Sequence, residues 1–283
     1  MKKKNWISLL LILVCLVALM GYRAVMRLRT DSTAPVITVE DQTLALSALE
    51  PRSALLQGVT AKDNVDGDVT DSLVVESVRL LRSDGTVTVT YAAFDKAGNV
   101  AKIQREVLFT DYESPRFSLE RPLMFAQTVS YDILSLVYAE DMLDGNISHR
   151  IRATVLEEIP DGYTGVHDVQ LRVTNTLGET VELVLPVEIY TPSLFEGSLT
   201  LTDYLIYLKQ GDSFKAERYL DTYAVGRDEI YLGNGVPGDM KLTITGEVET
   251  GVPGVYVVDY RVDHELRDQT YSAYSKLIVV VEG

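Results

Sequence analysis

The sequence predicts an all-β chain of tandem antiparallel β-sandwiches behind one N-terminal transmembrane helix. Three observations lead there. A long motif occurs twice, 78 residues apart, inside a flanking frame that recurs after 80. Short runs that alternate apolar and polar residues recur between turns rich in Gly, Asp and Asn. One uncharged apolar run lies near the N-terminus, and no other segment shows convincing helical amphipathicity.

The apolar run comes first. It extends without a charge from Trp6 to Tyr22, behind Lys2, Lys3 and Lys4. Seventeen helical residues span roughly 25 Å, near the hydrocarbon thickness once the flanks snorkel. Bulky Met20 and Tyr22 stand where signal-peptide cleavage requires small residues, so the run reads as a retained anchor. Residues 1–22 are thus a cytoplasmic tip and membrane span, and the membrane is the first expected partner. Basic residues flank both ends, with Arg23, Arg27 and Arg29 after the span, so their balance sets no orientation. A cytoplasmic N-terminus is taken because long domains translocate largely regardless of flanking charge. Cys15, the single cysteine, follows Val14 rather than a small residue, so it reads as a membrane-buried side chain and not a lipidation site.

Residues 23–33 read as a linker, followed by domains over 34–111, 112–191 and 192–283. The net charge of the chain is −15. Six basic residues precede Asp31, whereas every acidic residue lies at or beyond it. So acidic a region repels nucleic acid and anionic lipid, and nucleic acid is not an expected partner. Without cysteine beyond the anchor, each domain must hold by its apolar core.

Within the first repeat, residues 85–94 alternate apolar and polar up to Tyr91 and place Val87, Val89, Tyr91 and Ala93 on one face. The same count from Gly165 selects His167, Val169, Leu171 and Val173. From Gly254 it selects Tyr256, Val258, Tyr260 and Val262, which marks a third copy. Residues 55–61 and 133–139 read as strands before the acidic turns. Residues 103–109, 181–189 and 277–281 read as the closing strands. Many short strands separated by Gly, Asp and Asn turns fit two packed sheets.

The repeated motif itself is Ala61-Lys62-Asp63-Asn64-Val65-Asp66-Gly67-Asp68-Val69-Thr70, matched by Ala139-Glu140-Asp141-Met142-Leu143-Asp144-Gly145-Asn146-Ile147-Ser148. Pro35-Val36-Ile37 precedes the first copy, and Asp95-Lys96-Ala97-Gly98-Asn99 follows it. This frame resembles the bacterial immunoglobulin-like repeat of surface proteins, the type also described in pesticidal crystal proteins. The first domain matches closely from Pro35 to Phe109. The second departs at Asn175 and Glu179. The third matches mainly over residues 242–262. The resemblance implies Ig-like sandwiches in a surface or secreted setting and names no ligand.

Asp63, Asp66, Asp68 and Asp95 bring carboxylate oxygens together at short spacing, as a calcium site requires. The same residues build ordinary turns, in which Asp accepts from backbone amides and Gly67 supplies positive φ. The turn reading is preferred, so no cofactor is expected and calcium should leave the melting temperature unchanged. Asp141, Asp144 and Asn146 keep two carboxylates and an amide. His264-Glu265 begins like a zincin motif, but Asp268 stands where the second His belongs. His149 and His167 are scattered, and no nucleophile elbow or phosphate loop is present, so an enzyme is not expected.

Nine tyrosines follow Pro192. Those beyond the inward row offer an aromatic face, with Tyr223 and Tyr231 as candidate ligand-binding residues for a glycan or surface protein. Residues 226–238, rich in Gly, read as a long exposed loop. The expected function is binding, adhesion or spacing at the envelope by a single-pass protein with extracytoplasmic domains. The alternatives are a sensory ectodomain working with a membrane partner, or an accessory module of an envelope enzyme.

Overall fold

The same seven strands, joined in the same order, recur three times along the chain. The computed structural model describes residues 2–29, 31–80, 82–127, 132–157, 160, 162–194 and 196–283. Of residues 2–5, 7–9 and 24–29 it describes the backbone alone. The chain divides into two compact units, Met1–Tyr112 and Glu113–Gly283.

The first unit opens with helix α1, Lys2–Arg29. Residues 23–29, expected as linker, are helical because neither Gly nor Pro follows Gly21 to interrupt the turn. The flanking charges Lys2, Lys3, Lys4, Arg27 and Arg29 have side chains outside the described residues. Among the described residues, no helix is long and apolar enough to cross a membrane.

The strands of the first sandwich are β1 (Val36–Val39), β2 (Thr43–Leu46), β3 (Val59–Asp63), β4 (Gly67–Asp68), β5 (Val74–Leu80), β6 (Thr86–Phe94) and β7 (Val100–Phe109). They form sheets of order β1-β3-β4 and β2-β7-β6-β5. The chain changes sheet between Val39 and Thr43, so β2 enters beside β7 and runs parallel to it, with Leu44 opposite Val107. The expectation of purely antiparallel sheets is therefore corrected: one edge pair in each four-stranded sheet is parallel. Val87, Val89, Tyr91 and Ala93 are fully buried, as their alternation predicts. Ile37 and Ala61 are buried from the opposite sheet. Residues 55–61 are not one strand. Pro51 starts a 3-10 turn over Arg52–Leu56, and β3 begins only at Val59.

In the second unit the middle sandwich has β8 (Arg116–Leu119), β9 (Met124–Ala126), β10 (Val137–Asp141), β11 (Gly145–Asn146), β12 (Arg152–Val155), β13 (Gly165–Thr174) and β14 (Thr180–Tyr190). The last has β15 (Ser198–Leu201), β16 (Leu205–Lys209), β17 (Leu220–Val225), β18 (Asp228–Tyr231), β19 (Met240–Thr245), β20 (Gly254–Leu266) and β21 (Gln269–Glu282). Their sheets repeat the first sandwich rung for rung: β8-β10-β11 with β9-β14-β13-β12, then β15-β17-β18 with β16-β21-β20-β19. Residues 133–139 again divide, into a 3-10 turn over Ile133–Ser135 capped by Asp132 and then β10. With strands one and three in one sheet and the last three in the other, each copy is an Ig-like sandwich.

His167, Val169, Leu171 and Val173 are buried in the middle sandwich, and Val258, Tyr260 and Val262 in the last. Tyr256 is only half-buried, because it lies near the strand's start, where its hydroxyl donates to the Val252 carbonyl at 2.9 Å. Residues 226–238 are not one long loop. Gly226, with φ +63°, turns the chain into β18, which pairs back on β17.

The two sandwiches of the second unit share one continuous apolar core, from Phe117 and Leu119 through Leu185 to Tyr260 and Val281. Their seam has polar fastenings. The Phe117 amide donates to the Tyr207 hydroxyl at 3.0 Å, and Arg116 lies over the Tyr207 ring and pairs with Glu282 at 3.0 Å.

Candidate functional site

The acidic turn of the first sandwich is built by Asp63 at the end of β3. Its Oδ1 accepts from the amides of Val65 and Asp66, both at 2.8 Å, which closes the turn that Gly67 completes with φ +78°. Those amides, Asp66 first, hold the Asp63 carboxyl below its ordinary value against the opposing effect of burial. Asp68 is exposed and accepts from the Thr70 amide at 2.9 Å; the Thr70 hydroxyl and then that amide lower its pKa. Asp95 is buried and spends both oxygens on Asn99, one on its backbone amide and one on its side-chain amide, each at 2.7 Å. Asp66 accepts from the Lys96 amide at 2.8 Å, and its other oxygen lies 3.3 Å from Lys96 Nζ.

The four carboxylates named from sequence therefore do not form one group. The structure brings Asp63 and Asp66 together with Asp31, one oxygen from each lying within 4.8 Å of the others. Asp68 and Asp95 do not belong to this group, because their oxygens serve the turns they build. Asp31 was missed because it lies upstream of the repeated motif, in the segment read as linker.

The middle sandwich carries the same turn with different closures. Asp141 Oδ1 accepts from the amides of Leu143 and Asp144, and its Oδ2 accepts from Asn175 Nδ2 at 2.9 Å. Asp144 takes the Thr176 hydroxyl at 2.6 Å, the Thr176 amide at 2.7 Å and Arg150 Nη1 at 2.8 Å. Burial pushes the Asp144 carboxyl up, but Thr176 and Arg150 outweigh it and hold it low.

A second candidate region lies within the Glu113–Gly283 unit. The outer face of the last four-stranded sheet carries two cross-strand rows, Thr243–Arg261–Tyr274 and Thr245–Asp259–Lys276. These rows, with Glu188, Tyr190 and Glu196, wall a cleft of about 600 Å³. Arg261 lies over the Tyr274 ring at 5.6 Å and donates to Asp263 at 2.8 Å. Lys276 is nearly buried. It pairs with Glu188 at 2.8 Å and also with Asp259. Burial works to lower its pKa, but the hydrogen bonds to Asp259 and Glu188 outweigh it and keep the ammonium charged.

Tyr223, a candidate ligand-binding residue, is fully buried, with its ring edge-on to His264 at 5.4 Å. It is a core residue, and that expectation is corrected. Tyr231 is 60% exposed on β18, outside the cleft. Tyr274 is 42% exposed and lines the cleft. Its signal was strand parity: Ala273, Ser275 and Leu277 alternate inward, so Tyr274 and Lys276 face outward. His167 and His264 are buried, and burial lowers the pKa of His167.

No family model matches the chain, and no curated protein does. Solved structures do. Mouse cadherin-23 EC22-24 is 8% identical over 89% of this chain and 99% of its own, with a TM-score of 0.23. The lipoprotein BT2262 from Bacteroides thetaiotaomicron is 11% identical over 59% of this chain and 80% of its own, with a TM-score of 0.24. The protocadherin gammaB4 extracellular domain is 12% identical over 88% of this chain, with a TM-score of 0.21, and this chain spans 50% of its length.

Proposed function

We propose that the chain is a membrane-anchored surface protein that recognises a polar, hydroxyl-bearing ligand, a glycan, on its last sandwich and carries out no catalysis. The observation that carries this reading is the cleft on the outer sheet face. It combines an aromatic platform, Tyr274 beneath Arg261, with Thr243, Thr245, Ser193 and Glu196 as hydrogen-bonding walls. A concave surface with a few convergent polar groups and an aromatic floor suits a sugar. The ionic groups Lys276, Glu188 and Asp259 are paired with one another, one ammonium between two carboxylates, which favours binding over acid–base chemistry. The uncharged run of residues 6–22 supports anchoring, with the N-terminus cytoplasmic and the sandwiches extracytoplasmic.

A surface-protein partner is the second reading. Tyr231, exposed on the edge strand β18, favours it, since exposed aromatics anchor protein interfaces.

The whole chain in detergent, applied to an array of envelope polysaccharides and glycan fragments, tests the first reading. Tyr274→Ala should weaken capture at least about tenfold, as loss of an anchoring aromatic does. Tyr231→Ala should leave it unchanged. Full binding by Tyr274→Ala would overturn the cleft as the site. Deleting residues 193–283 is not a clean test, because it strips the core shared with the middle sandwich. The anchor has its own measurement: the chain should stay with carbonate-washed membranes, and a mature N-terminus beyond residue 22 would defeat it.

A further inference from the structure

The two acidic turns are built on one plan, yet only one of them has all its carboxylate oxygens answered by protein donors. In the middle sandwich Asn175 donates to Asp141 Oδ2, and Arg150 and Thr176 cover Asp144. In the first sandwich Asp95 stands in the place of Asn175 and Ser72 in the place of Arg150. Asp95 lacks the side-chain N–H of Asn175 and accepts from Asn99 with both oxygens, and Ser72 donates its hydroxyl to the Val69 carbonyl. Asp63 is 8% exposed, and its Oδ2 is enclosed without a hydrogen-bond donor among the described residues. Asp31 Oδ2 is enclosed in the same way, while Asp31 Oδ1 accepts from the Thr33 amide at 3.0 Å.

Two enclosed carboxylate oxygens without donors are costly to hold, and a like-charged neighbour raises that cost. Lys96 answers Asp66 and leaves Asp31 Oδ2 and Asp63 Oδ2 without a donor among the described residues. Its ammonium touches Asp66 at 3.3 Å, and its side chain is 84% exposed. What remains is a bound cation.

We infer that Asp31, Asp63 and Asp66 hold a calcium ion that ties the segment entering the first sandwich to its acidic turn. The donor set is all oxygen, as a hard cation requires and a zinc site does not. One oxygen from each residue lies within 4.8 Å of the others. Oxygens around calcium at about 2.4 Å are at most about 4.8 Å apart, so the three fit one coordination sphere. Asp31 lies two residues beyond the end of α1 and five before β1. The ion would therefore fix the short segment between helix and sandwich and limit rotation there. The inference stands independently of the recognition reading, because it uses no residue of the cleft.

Titrating calcium into the metal-free whole chain in detergent, followed by calorimetry, tests it. One equivalent should bind, at about 0.1–1 mM or tighter, the range of extracellular calcium modules. Asp31→Asn and Asp63→Asn should each weaken binding at least tenfold, whereas Asp141→Asn should not. Asp31 lies outside the turn, so its variant keeps the test if Asp63→Asn misfolds. Asp95→Asn restores the donor found in the middle sandwich. It should weaken calcium binding and raise the melting temperature of the chelator-treated chain. Absence of binding at about 10 mM calcium, well above that range, would overturn the inference. So would binding untouched by both Asp31→Asn and Asp63→Asn, or magnesium displacing calcium at equal concentration.

Discussion

Tyr260 donates its hydroxyl to the Ala216 carbonyl at 2.8 Å, tying the strand before last of the third sandwich to a 3-10 turn. Tyr91 makes the equivalent bond to Leu55 in the first sandwich, at 2.7 Å. The middle sandwich has Leu171 at this rung and no such tie. Burial raises both phenols above their ordinary value, so both remain donors across the physiological range. Tyr260→Phe leaves the Ala216 carbonyl without its donor. It should cost about 1–3 kcal/mol, the penalty for an unsatisfied buried group. Urea unfolding of the whole chain measures it in the transition of the second unit. No change in midpoint would show that water replaces the bond.

Lys276 is a second ionic fastening between the last two sandwiches, beside the Arg116–Glu282 pair, reaching Glu188 on β14 and Asp259 on β20. Its side chain is only 15% exposed, but its partners are more open. Lys276→Met therefore falls between the surface and buried cases and should cost about 1–3 kcal/mol. A cycle with Glu188→Gln should show coupling of about 1 kcal/mol, since the two residues touch. Additive effects would mean that the pair contributes only its packing.

Acid sensitivity follows from the hydrogen-bonded carboxylates. Asp63, Asp68 and Asp111 in the first unit, and Asp144 and Asp263 in the second, all have lowered pKa values in the fold. A lowered carboxylate contributes stability that is full above its unfolded value, about 3.9, and is lost as pH falls through the folded value. The melting temperature should therefore stay level from about pH 7 to 5 and fall below about pH 4. A decline beginning near pH 6 would assign acid sensitivity to other groups.

The inward rows of β6, β13 and β20 were legible because alternation is a local property of a half-buried strand. The parallel strand in each sandwich was not, since pairing direction leaves no mark on three to five residues. Tyr223 was misplaced for a physical reason. A bulge between the pairs Leu199–Tyr223 and Leu201–Leu220 shifts the register, so Leu220 and Tyr223 are both buried although three residues apart. Asp31 could not be joined to the acidic turn, because only folding brings the segment before β1 beside the end of β3. Asn175 was visible as a departure from the first copy, but its meaning, and the part Arg150 plays beside it, needed the distances.

The three glycines that head the inward rows look equivalent in sequence and are not equivalent in the fold. Gly85 has φ +87°, and a Cβ there would lie 2.4 Å from the Phe109 carbonyl oxygen. That oxygen belongs to the backbone of the closing strand and cannot swing aside. Gly254 has no positive φ, and a Cβ there would meet only the Tyr256 ring, at 3.5 Å or more. Gly85→Ala should thus cost at least about 1–3 kcal/mol from backbone strain alone, before the contact with Phe109 is relieved. Gly254→Ala should change stability by about 0.5 kcal/mol or less, because the new methyl group sits at ordinary contact distance. Chemical denaturation of the two single variants, each read in the transition of its own unit, compares them. Equal costs at the two positions would mean that the loop before β6 can adjust where the Phe109 contact indicates it cannot.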